Sequence, residues 1–451
     1  MMHPGSDKIA RAVSSRAGSH RTDPGRLLPG NMPAMPSTYG PLVTVVDPAS
    51  PAPALAGVAA PAVAAAPAVA TVTAEATVTA EATMATLRGR PGDEAQLDTA
   101  FLAASARYWH PVARSSDVGA APVRATLLEV PLVLWRRPAA ASPASPAGSG
   151  EPGAAGASAE QGGGTVAALV DRCPHRGVPL SGGEIDTDGR LRCPYHAWAF
   201  DGAGRCVDIP QQPGQGIPDI IAAQKVRVAE GAGLVWACLV DEAEEARPRP
   251  RFPEIEDLGW PHYVGTVQDW AGQAARQVEN FCDIGHFSIL HTDTFGNGDV
   301  PAVDPYTVRR TDWSVEADYR YPSVNPVAEP GPDGRRPVGE TNFQYRIELP
   351  FAVWLGGANG PGSVMFSVSA PISATRLRLY WMSAFDPAVY GNVPVDGAGL
   401  QVIEDRIWAP DKAIVESQRP ARVFAATEAH RAFDALGVAY RRALRDLGFA
   451  G

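Results

Sequence analysis

The chain has 451 residues, of which 45% are apolar, room for two or three globular domains with ordinary cores. Its formal net charge of −10 argues against nucleic acid as a partner, because phosphate binding needs a basic face. No run approaches the roughly 18 apolar residues of a membrane span, and five cysteines, an odd number, give no disulfide framework, which fits a reducing cytoplasm.

Residues 1–96 read as a disordered tail. They are rich in Ala, Pro, Gly, Ser and Thr, repeat TVTAEA at 71–76 and 77–82, and hold almost no aromatic residues to offset the entropy of ordering. The basic start (Lys8, Arg11, Arg16, Arg21, Arg26) has no hydrophobic core after it, so a secretory signal is not expected. The natural start is expected at Met84, or else 1–83 is a dispensable tail.

From 97 to 246 the pattern predicts an all-β module. VRATLLEVPLVLWRR (123–137) has strand-like alternation, and 138–164, a low-complexity Ala/Pro/Gly/Ser stretch, reads as a disordered loop before the strand VAALV at 166–170. Hairpins are predicted at Asp188-Gly189 and near Gly202, and GLVWACLV (233–240) closes the module. Cys206 and Cys238 fall on these strands as core residues. The module frames Cys173-Pro-His175 and Cys193-Pro-Tyr-His196. Two thiolates and two imidazoles so spaced suit a [2Fe–2S] centre with histidines on one iron. A structural zinc site is the competing reading, but each pair here mixes Cys with His, which breaks zinc-finger order.

RPRPRFPEIED (247–257) marks a boundary, and 247–451 reads as a second domain. YVGTVQDW (263–270) is a predicted strand, followed by AARQVENFCDIGHFSILH (274–291) as a helix. Asp283 and His286, three apart, share a helical face. His286 and His291, five apart, reach one ion only if the helix widens to a π-turn or breaks. Two imidazoles plus a distant carboxylate form the facial triad of a non-haem Fe(II) site; the bland alternative is two ordinary histidines on a half-buried helix. HTDTFGNGDV (291–300) is a polar loop placed to shape an entrance. Strands follow, with Phe343, Tyr345, Ile347 and Leu349 on one face of NFQYRIELPFAVWL (342–355), and Leu377, Leu379 and Trp381 on one face of 376–386. These are core positions, some of which line a cavity. Helices are predicted at 399–418 and 421–447, with Pro410 suited to a first helical turn.

CPHRG (173–177), CPYHAW (193–198) and ENFCDIGHFSILH (279–291) together resemble the Rieske non-haem iron oxygenases, specifically the α-subunits of the vanillate O-demethylase and aromatic-ring-hydroxylating group. The likeness runs from about Asp98 to the end, with one departure: Ala197 stands where the family usually has glycine. The resemblance implies an α+β chain, an all-β Rieske [2Fe–2S] domain followed by a helix-grip catalytic domain in which a curved antiparallel sheet holds helices. It implies Cys173, His175, Cys193 and His196 on the cluster, and His286, His291 and a late carboxylate on a mononuclear Fe(II). Asp411 in PDKAIVESQ is that carboxylate, with Asp405 its rival.

It further implies electrons from NAD(P)H through a separate reductase, with or without a ferredoxin; the chain has no nucleotide-binding glycine fingerprint of its own. In a homotrimer His196 would meet Asp283 of the neighbouring subunit, Asp283 also anchoring His286, while Asn280 closes the iron's surroundings or steers O2. The expected activity is oxygenation of an apolar, aromatic small molecule by hydroxylation or oxidative demethylation. Ring cis-dihydroxylation, by an α-subunit with a small β-subunit, is the alternative, and a Rieske electron carrier is the alternative of another class.

Overall fold

The computed structural model describes residues 91–138, 164–240, 247–326, 328–425 and 428–450; the expected tail up to residue 90 and the expected loop interior at 139–163 lie outside them. The tail expectation ends too late. A helix, α1 (Pro91–Ser105), covers 91–96, and Phe101 packs its ring 5.6 Å from Phe351 and 5.7 Å from Phe449. Burial of that ring repays an ordering that the local composition does not signal.

The N-terminal module is built from three small antiparallel sheets. One joins His110–Arg114, Leu234–Cys238 and Arg227–Gly231; another joins Val123–Leu127, Val130–Pro138 and Gly164–Val170. The third threads Glu184–Ile185, Leu191–Arg192, Ala199–Phe200 and Cys206–Asp208 through the two expected hairpins, with Gly189 (φ 74°) and Gly204 (φ 86°) in the turns. The stretch 123–137 is a hairpin that turns at Leu128 and Glu129, both with positive φ (50° and 67°). Neither residue favours that region, but both amides are captured from outside: Leu128 N–H donates to Pro371 O at 2.9 Å and Glu129 N–H to Ile372 O at 2.7 Å. Those bonds tie the module to the sheet that follows. A shared apolar cluster, with Leu234 and Trp236 against Phe366, Tyr380 and Met382, seals the same seam.

The C-terminal part is an eight-stranded antiparallel sheet. Its order is His262–Val264, Arg376–Phe385, Ser363–Ser373, Ala352–Gly356, Val338–Glu348, Ser314–Val324, Val308–Arg310, with Gln268–Trp270 also on Arg376–Phe385. The strand expected at 263–270 is thus two short ones. At the break, a Cβ on Gly265 would sit 1.9 Å from the Trp381 ring, so the chain is pressed flat there. Phe343, Tyr345, Ile347 and Leu349 are buried together, as their alternation predicts. Against the sheet face that carries Phe343, Tyr345 and Ile347 pack α2 (Ala274–Cys282), a short α3 (Phe287–Leu290), α4 (Gly397–Ser417) and α5 (Ala435–Asp446).

Two helix expectations need correction. Pro410 lies inside α4, not in its first turn. The last helix begins at Ala435, not near 421, because 419–425 runs as a strap: Arg422 grips Asp98 and Glu94, and Val423 N–H donates to Gln273 Oε1 at 3.0 Å. No described helix is long and apolar enough to cross a membrane.

Candidate metal centre and its cavity

The stretch 274–291 resolves the spacing problem of its histidines by breaking. Helix α2 ends at Cys282, Asp283 takes an extended conformation (φ −84°, ψ 109°), and α3 starts only at Phe287. His286 precedes α3 and His291 follows it, so the two imidazoles swing onto a common point. Their Nε2 atoms are 3.1 Å apart. Asp411, from the middle of α4, brings Oδ1 to 3.5 Å from His286 Nε2 and 3.3 Å from His291 Nε2. Ligands about 2.1 Å from a shared ion and at right angles stand about 3 Å apart, so this donor set fits a first-row metal. With both rings presenting Nε2 as a lone pair, three ligand atoms face one point, and burial of His291 (2% exposed) and Asp411 (5%) shields that point from bulk water. Asp405, the rival, is exposed and its Oδ1 accepts from Gln401 Nε2 at 2.7 Å. Geometry favours Asp411.

Around this point the other expected residues take distinct places. Asn280 is buried and its Nδ2 lies 3.4 Å from Asp411 Oδ1, at the limit of a hydrogen bond. Asp283 holds Oδ2 3.4 Å from His286 Nδ1 while its Oδ1 accepts from Gly285 N–H at 2.8 Å. Its side chain remains 40% exposed, so the carboxylate meets solvent as well as His286. Helix α2 itself is locked from behind by Arg276 and Glu279, which form ion pairs with Glu428 and Arg441.

A cavity opens on the metal point, walled by Phe281, Phe287, Phe295, Phe343, Tyr345 and Trp408. Phe343 and Tyr345 come from the strand face read as core, and Phe295 from the polar loop after His291. Two polar wall residues escaped the sequence reading: Asn359 and Glu404, both buried. Burial pushes the Glu404 carboxyl up to about 7, helped by the nearby Asp405 charge. The only sequence signal for it was an acid in register with Asp411 along α4.

The four cluster candidates sit on two loops that repeat one design. Cys173 N–H donates to Val178 O (2.8 Å) and Gly177 N–H to Cys173 O (2.9 Å); Cys193 N–H donates to Trp198 O (2.9 Å) and Ala197 N–H to Cys193 O (3.0 Å). The equivalent fifth residues both lie in the left-handed region, Gly177 at φ 72° and Ala197 at φ 59°. Ala197 therefore carries a methyl group where its counterpart has none. The loops set thiol beside thiol and ring beside ring. Burial pushes the Cys173 thiol up to about 11, with Cys193 adding to the effect, and the rings of His175 and His196 are 4.7 Å apart. Two buried thiols side by side, two imidazoles side by side, and a buried His175 Nδ1 with no hydrogen-bond partner form the donor set that a [2Fe–2S] cluster with histidines on one iron requires. Trp198 stacks flat on His175, 4.3 Å between centroids.

Known proteins share this plan. The Rieske [2Fe-2S] domain family matches residues 108–226, and the vanillate O-demethylase oxygenase C-terminal domain family matches 270–449. The methylxanthine N1-demethylase NdmA of Pseudomonas putida is 29% identical over 287 residues, 62% of this chain and 76% of that protein. The structure of P. putida CBB5 NdmA with caffeine superposes with a TM-score of 0.62 at 25% identity, covering 77% of this chain and 92% of the other. That of dicamba monooxygenase bound to dicamba, at 22% identity and a TM-score of 0.58, covers 75% and 96% and shows the shared fold.

Proposed function

The chain belongs to the Rieske non-haem iron oxygenases as an oxygenase α-subunit, and from that premise we propose that it oxidises an apolar, aromatic small molecule by hydroxylation or oxidative demethylation. The observation that carries the reading is the convergence of His286 Nε2, His291 Nε2 and Asp411 Oδ1 within 3.1–3.5 Å at the end of an aromatic cavity. In this proposal those three residues hold Fe(II), while Cys173, His175, Cys193 and His196 hold the [2Fe–2S] cluster. The cluster supplies stored electrons and the mononuclear iron supplies O2 activation. Demethylation is favoured within the class by the N-demethylase relatives and by the matched vanillate O-demethylase family.

The chain's own residues then do four things. Phe281, Phe343, Tyr345 and Trp408 exclude water and sandwich a flat ring. Asn280 steadies Asp411. Asp283 fixes the ring of His286 through Nδ1 and, from its partly exposed position, meets His196 of a neighbouring subunit in a homotrimer. Electrons arrive from NAD(P)H through a separate reductase, with or without a ferredoxin, in the cytoplasm. The division of the chain at 246/247 into a Rieske and a catalytic domain, and the dispensability of 1–83, belong to the same proposal.

Iron quantitation with low-temperature EPR of the reduced protein, followed by an O2-uptake screen over methoxy- and N-methyl-aromatics, tests it. Two cluster irons plus one chelatable iron, and uptake that depends on substrate, are expected. Zinc in place of iron, or an iron content that stops at the cluster, overturns it.

A further inference from the structure

Glu404 has no task in the chemistry above, yet it lies 1% exposed in the wall of the catalytic cavity. It precedes Asp411 by two helical turns on α4, so the two carboxyls share one face and stand about 10 Å apart along the axis. Ile407 and Trp408 fill the wall between them. Oε1 lies 3.5 Å from Asn359 Nδ2, an amide that also reaches Ser383 Oγ at 3.2 Å. Oε2 is buried without a well-formed hydrogen bond; the Trp408 indole N–H beside it is near enough to favour the charged carboxylate but does not complete a bond to it. The one charge acting on Glu404 is Asp405, of the same sign. A buried carboxyl left half-satisfied is costly, and leucine would fill the same space without that cost. Leu355, Ala358 and Met365, which also line the cavity, are apolar.

We infer that Glu404 is a specificity-determining residue that receives the end of the substrate remote from the metal, and that the substrate accordingly carries a nitrogen-borne hydrogen-bond donor, a ring N–H or an ammonium group, on its apolar frame. The inference rests on the oxygenase reading of the cavity and narrows its substrate class. The donor completes Oε2, the aromatic wall holds the ring, and the span along α4 places the oxidisable group over the metal point. The raised Glu404 pKa agrees, since the site lacks any internal cation to settle the charge. A site that hydrogen-bonds its ligand this way also discriminates strongly, because a ligand without the donor leaves the acid stranded.

The test uses the iron-loaded full chain, anaerobically, in calorimetric titrations with two ring-matched pairs: benzimidazole against 1-methylbenzimidazole, and 4-methoxybenzylamine against 4-methoxytoluene. Wild type should bind each donor-bearing member at least tenfold more tightly than its partner. Glu404→Leu should close the gap by weakening the donor-bearing members alone, and Glu404→Gln, which keeps an acceptor but no charge, should narrow it more for the ammonium than for the ring N–H. Equal affinities in the wild type, a gap that survives in Glu404→Leu, or no binding by either donor-bearing probe overturns the inference. Iron content and the cluster spectrum are recorded on the same samples. Full iron with equal affinities sinks the Glu404 contact and spares the oxygenase reading, whereas missing mononuclear iron in the wild type sinks the latter.

Discussion

The two candidate iron stations are built in opposite ways. Each cluster loop is closed by hydrogen bonds within six residues, Cys173 to Val178 and Cys193 to Trp198, and its histidine remains partly exposed. The mononuclear point joins residues 131 positions apart, Asn280 and Asp411, and is buried behind a broken helix and a long one. A station that only passes electrons needs a rigid, accessible edge. One that handles O2 needs walls, and walls have to be gathered from the whole domain. The difference teaches that robustness and legibility go together: what is held locally is both easily read and hard to perturb from afar.

The sharpest way to break the comparison is to remove one long-range member. Asp411→Ala should lose the mononuclear iron and lower activity by more than about a hundredfold while leaving the cluster EPR signal intact, whereas Asp405→Ala should keep both. Full iron and activity in Asp411→Ala would mean that the convergence at α4 is incidental.

The seam between the two regions can be probed by pH. His110, 1% exposed, hydrogen-bonds Ser105 O at 2.9 Å, and burial pulls its pKa down to about 4. The native state therefore binds fewer protons than the unfolded state between about pH 6.5 and 4. Its stabilising contribution is complete above that window and is lost as the pH falls through it, up to ~3 kcal/mol. Denaturant titrations of His110→Phe should show a flatter acid branch than wild type; identical branches would move the titrating group elsewhere.

Asp283→Asn should load both stations fully yet slow the reoxidation of the reduced cluster by about ten- to a hundredfold, read in stopped flow. An unchanged rate would count against Asp283 as the link. The smallest effect belongs to the cluster side. Ala197→Gly relieves a methyl group held at φ 59°, and should stabilise that loop by about 1 kcal/mol, seen as slower cluster loss in denaturant. No change, or faster loss, would show that the strain is already absorbed by neighbours such as Arg192, whose Nη1 donates to Ala197 O at 3.1 Å.

Much of the fold was legible because its signals are local. The turns at Gly189 and Gly204, the alternation at Phe343 to Ile347, and the incompatibility of His286 and His291 with an unbroken helix all follow from a few neighbouring residues. The failures share a cause as well. Leu128 and Glu129 turn against their own preference because Pro371 and Ile372, far along the chain, accept their amides. Residues 91–96 fold because Phe101 finds Phe351 and Phe449, and the strap at 419–425 replaces helix because Arg422 finds Asp98.

By itself, then, the order of residues determined which side chains are candidate iron ligands and roughly where each lies along the chain, since ligand chemistry and short spacings are properties of a segment. Only the tertiary structure sets Asp411, and not Asp405, beside the two imidazoles, and only it brings Glu404 and Asn359 into an aromatic cavity. A helix shows its faces in sequence, but which face meets the metal depends on what packs behind it. That is fixed by contacts between strands and helices more than a hundred residues apart, and no local pattern records them.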